Sequence, residues 1–367
     1  MKFSFDRDAI LKEIAIAGEI TSNKSPISIL SNILLVAENN SLTIKATDSS
    51  VNFKTAIPID VQEEGSATIY CDKFMSILTS LPQGEIEFVQ ENAKVTIKPL
   101  SQKIRFELKS IASDKFPQMS ENENAKFFAL PAKVTKEMIS KTIFSVSEDT
   151  NRFFMTGVYF TKKNDELVMV STDGRRLSFS SGDIAEHIPD FPSSIVPTKI
   201  LYVILKHASD EGEIQIAFDE KIMFVKFGSY EFSSALLEGQ FPNYEKVIPQ
   251  NQKFSFSVLK SELDLALRRN TILIDKKVSR ILFRLTSGKL TIVSPETELG
   301  NSEETIPCQY DGDETTIALN YLYVTEPLKV ISDERVVFEF TEAMKAITMR
   351  SENDKNSFHV IMPMNLN

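Results

Sequence analysis

Cysteine is nearly absent from this chain. Its 367 residues include only Cys71 and Cys308, far apart and without CxxC spacing. They read as packed thiols, which argues against a disulfide scaffold or a cysteine-ligated metal. Histidine is almost as scarce, with His187, His207 and His359 alone. None has a metal-ligand spacing such as HExxH, so neither a metal nor a cofactor is expected. Long apolar runs are missing too, and nothing approaches the length of a membrane-spanning helix. The opening "MKFSFDRDAILKE" has no apolar core of the signal-peptide kind. The expectation is a cytoplasmic protein with no membrane partner. GxSxG, Walker A and GxGxxG are all absent, so the common nucleophile and phosphate-cradle motifs are not available.

What is present is a globular composition, 42% hydrophobic and 25% charged, long enough for two or three domains. The net charge of -10 argues against wholesale coating of nucleic acid but leaves room for a local basic surface. One pattern occurs three times. "SLTIKATDSS" starts at Ser41, "ELVMVSTDGRR" at Glu166 and "KLTIVSPETE" at Lys289, each about 125 residues from the next. That period is the size of one domain.

Each copy opens on a strand followed by a helix: "MKFSFDRDAILKEIAIAGEI", "KFFALPAKVTKEMISKTIFSVS" from Lys126 and "KFSFSVLKSELDLALRRNTIL" from Lys253. In the second copy Val134, Met138, Ile139 and Val146 fall mostly on one helical face, and in the third Leu259, Leu263 and Ala266 do so. Hairpins follow, each with a polar turn between two strand-like runs. A second helix then starts near Cys71, Val196 and Ala318 in turn. Asp72 and Thr198 are the expected caps of the first two, and Pro327 should leave the third short or kinked. The fold class is α+β in three pseudo-repeated domains, 1–125, 126–250 and 251–367, divided in the polar stretches "SENENAK" (from Ser120) and "PQNQK" (from Pro249).

The helix windows are the positive part of an acidic chain. Residues 132–147 and 198–208 each carry +2 and 258–270 carries +1, while 7–18, 72–80 and 319–329 balance. On one surface such helices would track a phosphate backbone without reading bases. "STDGRRL" at Ser171 pairs a turn dipeptide with two arginines, which suits a solvated loop or a phosphate contact. No nucleophile–base pair accompanies it, and acidic pairs such as Glu303 and Glu304 are expected by chance among 51 acids. The balance favours a binding protein over an enzyme.

In this order and spacing, "ATDS" at Ala46, "RFFMTGVYF" at Arg152, "STDGRRL", "GQFPNYEKVIP" at Gly239 and the terminal "VIMPMNLN" at Val360 are highly specific together. The whole chain resembles the bacterial sliding clamp family, the beta subunits of DNA polymerase III. The resemblance implies the DNA clamp fold. Two chains would join head to tail in a closed ring, a homodimer with helices inside and sheets outside. It implies a processivity factor without catalysis that encircles double-stranded DNA. Its partners would be the DNA polymerase III catalytic subunit, the clamp loader and other replication and repair proteins with clamp-binding motifs.

Residue by residue, the resemblance implies a hydrophobic pocket for partner peptides. Its positions are Met155, Thr172, Gly174, Arg175, Arg176, Leu177, Pro242, Lys246, Val247, Met344, Ala346, Val360, Met362, Pro363, Met364 and Leu366. Methionines suit a groove that accepts several sequences. Arg175 stands where many relatives have His, Lys246 where Arg is common, Met344 and Ala346 where Val and Ser are usual, and Asn367 extends past the usual end. The DNA-facing positions implied are Lys24, Lys73, Lys199, Phe153 and Phe154, the last two replacing a tyrosine pair. Ring closure would pair the edge strand "KIRFELK" at Lys103 with the partner's strand near "ETELGNSEET". Phe106 and Leu108 would meet Ile272 and Leu273, and Lys103 and Arg105 would face Glu298, Glu303 or Glu304. Two other readings stay open: a clamp-fold docking scaffold that does not encircle DNA, and a hydrolytic enzyme using Asp173 of "STDGRRL".

Overall fold

A computed structural model describes residues 1–22, 29–119, 125–182, 188–274 and 277–366. The first copy runs β1 (Lys2–Asp6), α1 (Arg7–Ile20), β2 (Asn32–Glu38), β3 (Ser41–Thr47), β4 (Val51–Pro58), β5 (Asp60–Glu63), β6 (Gly65–Tyr70), α2 (Cys71–Ser80), β7 (Glu85–Glu91), β8 (Lys94–Pro99) and β9 (Phe106–Lys109). The second runs β10 (Phe128–Pro131), α3 (Ala132–Thr142), β11 (Gly157–Lys163), β12 (Glu166–Thr172), β13 (Arg176–Gly182), β14 (Ser194–Pro197), α4 (Thr198–His207), β15 (Glu213–Phe218), β16 (Ile222–Phe227) and β17 (Tyr230–Ala235). The third runs β18 (Phe254–Leu259), α5 (Lys260–Asn270), β19 (Arg280–Thr286), β20 (Lys289–Thr297), β21 (Gly300–Pro307), β22 (Thr315–Asn320), α6 (Tyr321–Leu328), β23 (Arg335–Phe340), β24 (Ile347–Ser351) and β25 (Ser357–Ile361). The order strand, helix, four strands, helix, three strands recurs three times, with β5 as the one insertion.

The hairpins form where the turn residues demand them. Asn39 and Asn40 both take positive φ, as do Asn164 and Asp165, the backbone that a two-residue hairpin turn with the strands' twist requires. Alternation then sets the faces. In β19 Ile281, Phe283 and Leu285 are wholly buried while Arg280, Leu282 and Arg284 are not. Phe256 of β18 pairs with Phe338 of β23, and their rings stack at 4.6 Å. Each such buried aromatic contributes about 1.5–3 kcal/mol.

The chain packs as two compact units, residues 1–129 with 213–236, and 130–212 with 237–367. The first holds a five-stranded sheet, β5-β1-β7-β8-β9, and an eight-stranded one, β10-β15-β16-β17-β4-β3-β2-β6. The second holds the sheets β14-β11-β12-β13-β25-β24-β23-β18 and β21-β20-β19-β22. Consecutive copies therefore share sheets: β17 pairs with β4, and β13 with β25.

Three local expectations need correction. Asp72 and Thr198 lie inside their helices. The cap positions are Tyr70 and Pro197, in extended backbone, and neither side chain caps. The preceding strand runs straight into each helix and leaves no polar residue at the cap. The working caps are Asp6, which accepts from the Asp8 and Ala9 amides, and Asn320, which accepts from the Leu322 amide. α3 ends at Thr142 and tightens into a 3-10 turn at Ile143–Ser145 rather than reaching residue 147. Pro327 falls in the last turn of the eight-residue α6, a short helix as expected.

Candidate functional site

The site begins with alternation across one strand pair. Leu177 of β13 pairs with Val360 of β25. Both face an apolar cluster with Val168, Val170, Ile195, Phe241 and Tyr244, and Ala346, Phe154 and Ile248 pack at its margin. Met155 is buried just before β11, and Pro242 is half-buried beside Phe241. Val247 and Met344 stand 54% and 52% exposed. Lys246 is exposed.

The chain end continues this wall. The Met362 amide donates to the Arg175 carbonyl at 2.9 Å and the Met364 amide to the Ala318 carbonyl at 2.8 Å. Arg280 donates to the Asn365 carbonyl at 3.2 Å. Held this way, the tail keeps Pro363 and Met364 half-buried and leaves Met362 and Leu366 over two-fifths exposed. A seam of exposed and half-buried apolar side chains above a packed floor is a surface for an apolar partner.

The loop from Thr172 to Arg176 forms one margin. The Thr172 hydroxyl accepts from the Gly174 amide at 3.0 Å and donates to the Arg176 carbonyl at 2.6 Å. Asp173 Oδ1 accepts from the amides of Arg175 (2.8 Å) and Arg176 (3.0 Å). Gly174 has φ +88°, and a Cβ there would meet the Arg152 guanidinium at 3.4 Å. Arg175 is exposed at the rim. Arg176 differs from the other pocket positions. Alternation puts its side chain on the face opposite Leu177, where it bonds Asp173, Glu326 and the Phe144 carbonyl. Asp173 is engaged in this turn through both carboxylate oxygens, a structural role that accounts for the Asp without catalysis.

The DNA-facing positions divide. Lys24 lies outside the described residues. Lys73 is exposed on α2 and Lys199 half-exposed on α4. Phe153 is 48% exposed and meets Phe154 edge-on at 5.9 Å. Gly239, at φ +105°, lies against this pair, and a Cβ there would come 3.2 Å from the Phe154 Cβ. With the observed helix bounds, α1 and α6 each carry -1, α2 is neutral, α3 and α4 carry +2 each and α5 carries +1. The helices thus total +3 rather than the +5 of the wider windows, because Glu19 belongs to α1 and Lys329 lies beyond α6.

The edge positions are described unit by unit. β9 is the last strand of its sheet and starts at Phe106, so Lys103 and Arg105 precede the ladder rather than sit in it. Phe106 and Leu108 are half-buried. Arg105 pairs with Glu107. In the other unit β21 is likewise a terminal strand. Beside its turn lies a cleft of about 640 Å³ lined by Ile272, Leu273, Ile274, Val278, Glu298 and Leu299, among others. Ile272 is 76% and Leu299 83% exposed. Glu304 is held by Arg269, whose guanidinium lowers its pKa, and Glu303 lies 3.9 Å from Arg284.

Among the described residues, no group of three or more His, Cys, Asp or Glu side chains is placed to hold a metal. Cys71 and Cys308 are buried and free, with thiols pushed up by burial to about 12 and about 11. His187 lies outside the described residues. His359 is sealed under the sheet. The sequence reading missed Tyr323 and Glu326 of α6. Both meet Arg176 of the loop, and no motif near them signals it.

Three family models match in succession: the N-terminal domain of the DNA polymerase III beta subunit at residues 1–120, the central domain at 129–243 and the C-terminal domain at 245–365. The chain is 41% identical to the beta sliding clamp of Treponema pallidum (strain Nichols) over 99% of each. Its fold matches a sliding clamp from Pseudomonas aeruginosa bound to griselimycin (28% identity, TM-score 0.93) and the DNA polymerase sliding clamp from Bacillus subtilis (25%, TM-score 0.94). Both matches cover 100% of each chain.

Proposed function

The chain belongs to the DNA polymerase III beta-subunit family, the bacterial sliding clamps, and from that premise we propose which of its residues do the clamp's work. It is a DNA sliding clamp, a non-catalytic processivity factor that binds duplex DNA, the polymerase and other clamp-binding proteins. Its three clamp domains span 1–125, 126–250 and 251–367. The three matched family segments support a division into three, with the third segment starting at residue 245, slightly before the proposed boundary, and the stretch 120–124 lies outside the described residues.

Partner peptides enter the groove formed by Leu177, Val360, Ala346, Pro242 and the tail from Met362 to Leu366. Griselimycin, the ligand of the Pseudomonas aeruginosa clamp, binds this chain in the same groove. Apolar anchors of the partner fill the floor, and Arg175 and Lys246 supply the polar rim. Lys24, Lys73, Lys199 and the Phe153–Phe154 pair face the duplex. No described helix is long and apolar enough to cross a membrane, and we place the clamp and its loader in the cytoplasm.

The observation that carries ring closure is the cleft beside β21, with Ile272 and Leu299 more than three-quarters exposed. A terminal strand flanked by bare apolar side chains is a site for strand addition. The edge strand β9 of a second copy, with Phe106 and Leu108, fits it in kind. The test is topological. The protein is loaded by a clamp loader onto nicked circular plasmid, freed of unbound protein by gel filtration, and the plasmid is then cut once. Retention on circles and loss on linear DNA is expected. Retention after cutting would replace encirclement by chemical contact. Failure to load, with a loader that works on another clamp, would favour the docking scaffold.

A further inference from the structure

We infer that Glu326 of α6 is a positioning residue for the peptide groove, acting at a distance through Arg176. The inference rests on the groove reading above. Glu326 touches none of the groove residues except Arg176 in the contacts described, and it lies in the third sequence copy whereas the loop lies in the second.

The chain of contacts is short. The Arg176 side chain is only 12% exposed. Its Nε donates to Asp173 Oδ2 at 3.0 Å, one terminal nitrogen pairs with Glu326, and the other donates to the Phe144 carbonyl at 2.6 Å. The guanidinium carbon lies 4.6 Å from the Tyr323 ring centroid. Every branch of the fork is thus fixed, and two of the fixing groups belong to α6. Planar, charge-assisted bonds of this sort set orientation as well as energy.

Arg176 holds the groove through its neighbours. Asp173, which it grips, fixes the amides of Arg175 and Arg176. The Arg175 carbonyl receives the Met362 amide, which aims the tail. Leu177, the next residue, is the floor position paired with Val360. One wall, one floor residue and the root of the tail therefore depend on a single guanidinium. Without Glu326, that cation keeps one carboxylate and gains freedom to turn. The effect is a looser loop rather than an unfolded chain, since Glu326 is 30% exposed and Gln is isosteric.

The full-length dimer is tested with griselimycin as probe, by calorimetry, in the wild type and in Glu326→Gln, Arg176→Gln, Arg176→Lys, the Glu326→Gln/Arg176→Gln double variant and Met362→Asp. Urea midpoints and hydrogen exchange accompany each. Glu326→Gln is expected to weaken binding at least fivefold and to speed exchange of the Gly174 and Arg175 amides about tenfold, with the urea midpoint unchanged. Arg176→Gln weakens binding at least as much, and the double variant no further, because the two residues act in series. Arg176→Lys, which keeps charge but loses the fork, recovers only part of the affinity. Loss of binding in Met362→Asp with Glu326→Gln within twofold of wild type would overturn the inference and leave the groove standing. Additive losses in the double variant would overturn it too. Unchanged binding in Met362→Asp would overturn the groove reading itself, and this inference with it.

Discussion

His359 is the residue whose chemistry is most altered by the fold. It is 3% exposed on β25, its Nδ1 lies 2.8 Å from the Ser178 hydroxyl, and Ser178 in turn meets Ser145. Burial pushes its pKa down to about 3, helped by the positive charges of Lys141 and Arg176 and opposed by Asp354. The unfolded chain binds a proton there near the ordinary value of 6.5, and the folded chain does not until about pH 3. Above pH 6.5 both states are neutral and the residue adds no pH dependence. As pH falls from 6.5 toward 3, the unfolded state gains protons that the native state refuses, so stability is lost. The loss attributable to this residue at pH 5 is about 2 kcal/mol. His359→Gln, which keeps a partner for Ser178, should flatten the fall in the urea midpoint between pH 7 and pH 5. An equally steep fall in the variant would mean that other groups set the acid limit.

At the scale of elements, the helices owe their starts to strand geometry as much as to residue type. Asp6 ends β1 and satisfies two amides of α1. Asp6→Ala should cost about 1 kcal/mol in urea unfolding. Thr198→Ala removes no cap and should cost clearly less, and equal costs would refute the assignment. This contrast marks what was legible. The recurring strand–helix pattern located the six described helices, and an apolar face was read for α3 and α5, since a helix must bury one face whatever its cap. The caps of α2 and α4 were misread, since sequence does not say that the preceding strand reaches the first helical residue. The alternation of β13 was also readable. Leu177 and Arg176 had to face opposite ways. Their partners were not. Val360 is a neighbour of Leu177 only through the β13–β25 pairing, and Glu326 reaches Arg176 from a helix 150 positions away in sequence. Such long-range pairing follows from topology; the family resemblance put Leu177 and Val360 in one pocket but did not reach Glu326.

For the whole molecule, charge and apolar surface have separate tasks. A chain of net charge -10 whose six described helices total +3 is suited to weak phosphate contacts rather than to tight DNA binding. Lys73→Ala should lower the salt slope of DNA binding by about 1 without changing sequence preference, and an unchanged slope would remove Lys73 from the DNA-facing set. Ring closure works differently. Arg105 with Glu107, and Arg269 with Glu304, already have partners within the chain. Exposed pairs of this kind contribute only about 0–1 kcal/mol each, so rearranging them across a junction gains little. Ile272 and Leu273 are the larger asset, one 76% exposed and the other half-buried at the cleft. Truncating a Leu or Ile that a partner strand covers costs about 2–5 kcal/mol, and a head-to-tail ring of two chains has two such junctions. Ile272→Ala with Leu273→Ala should therefore give a species of 41.4 kDa in light scattering, one chain rather than two. The monomer should keep the wild-type circular dichroism spectrum, because neither side chain is fully buried within the chain. Raising salt on the wild type should leave the dimer largely intact. A variant that stays dimeric, or a wild type that falls apart in salt, would shift ring closure from the apolar cleft to the charged edges.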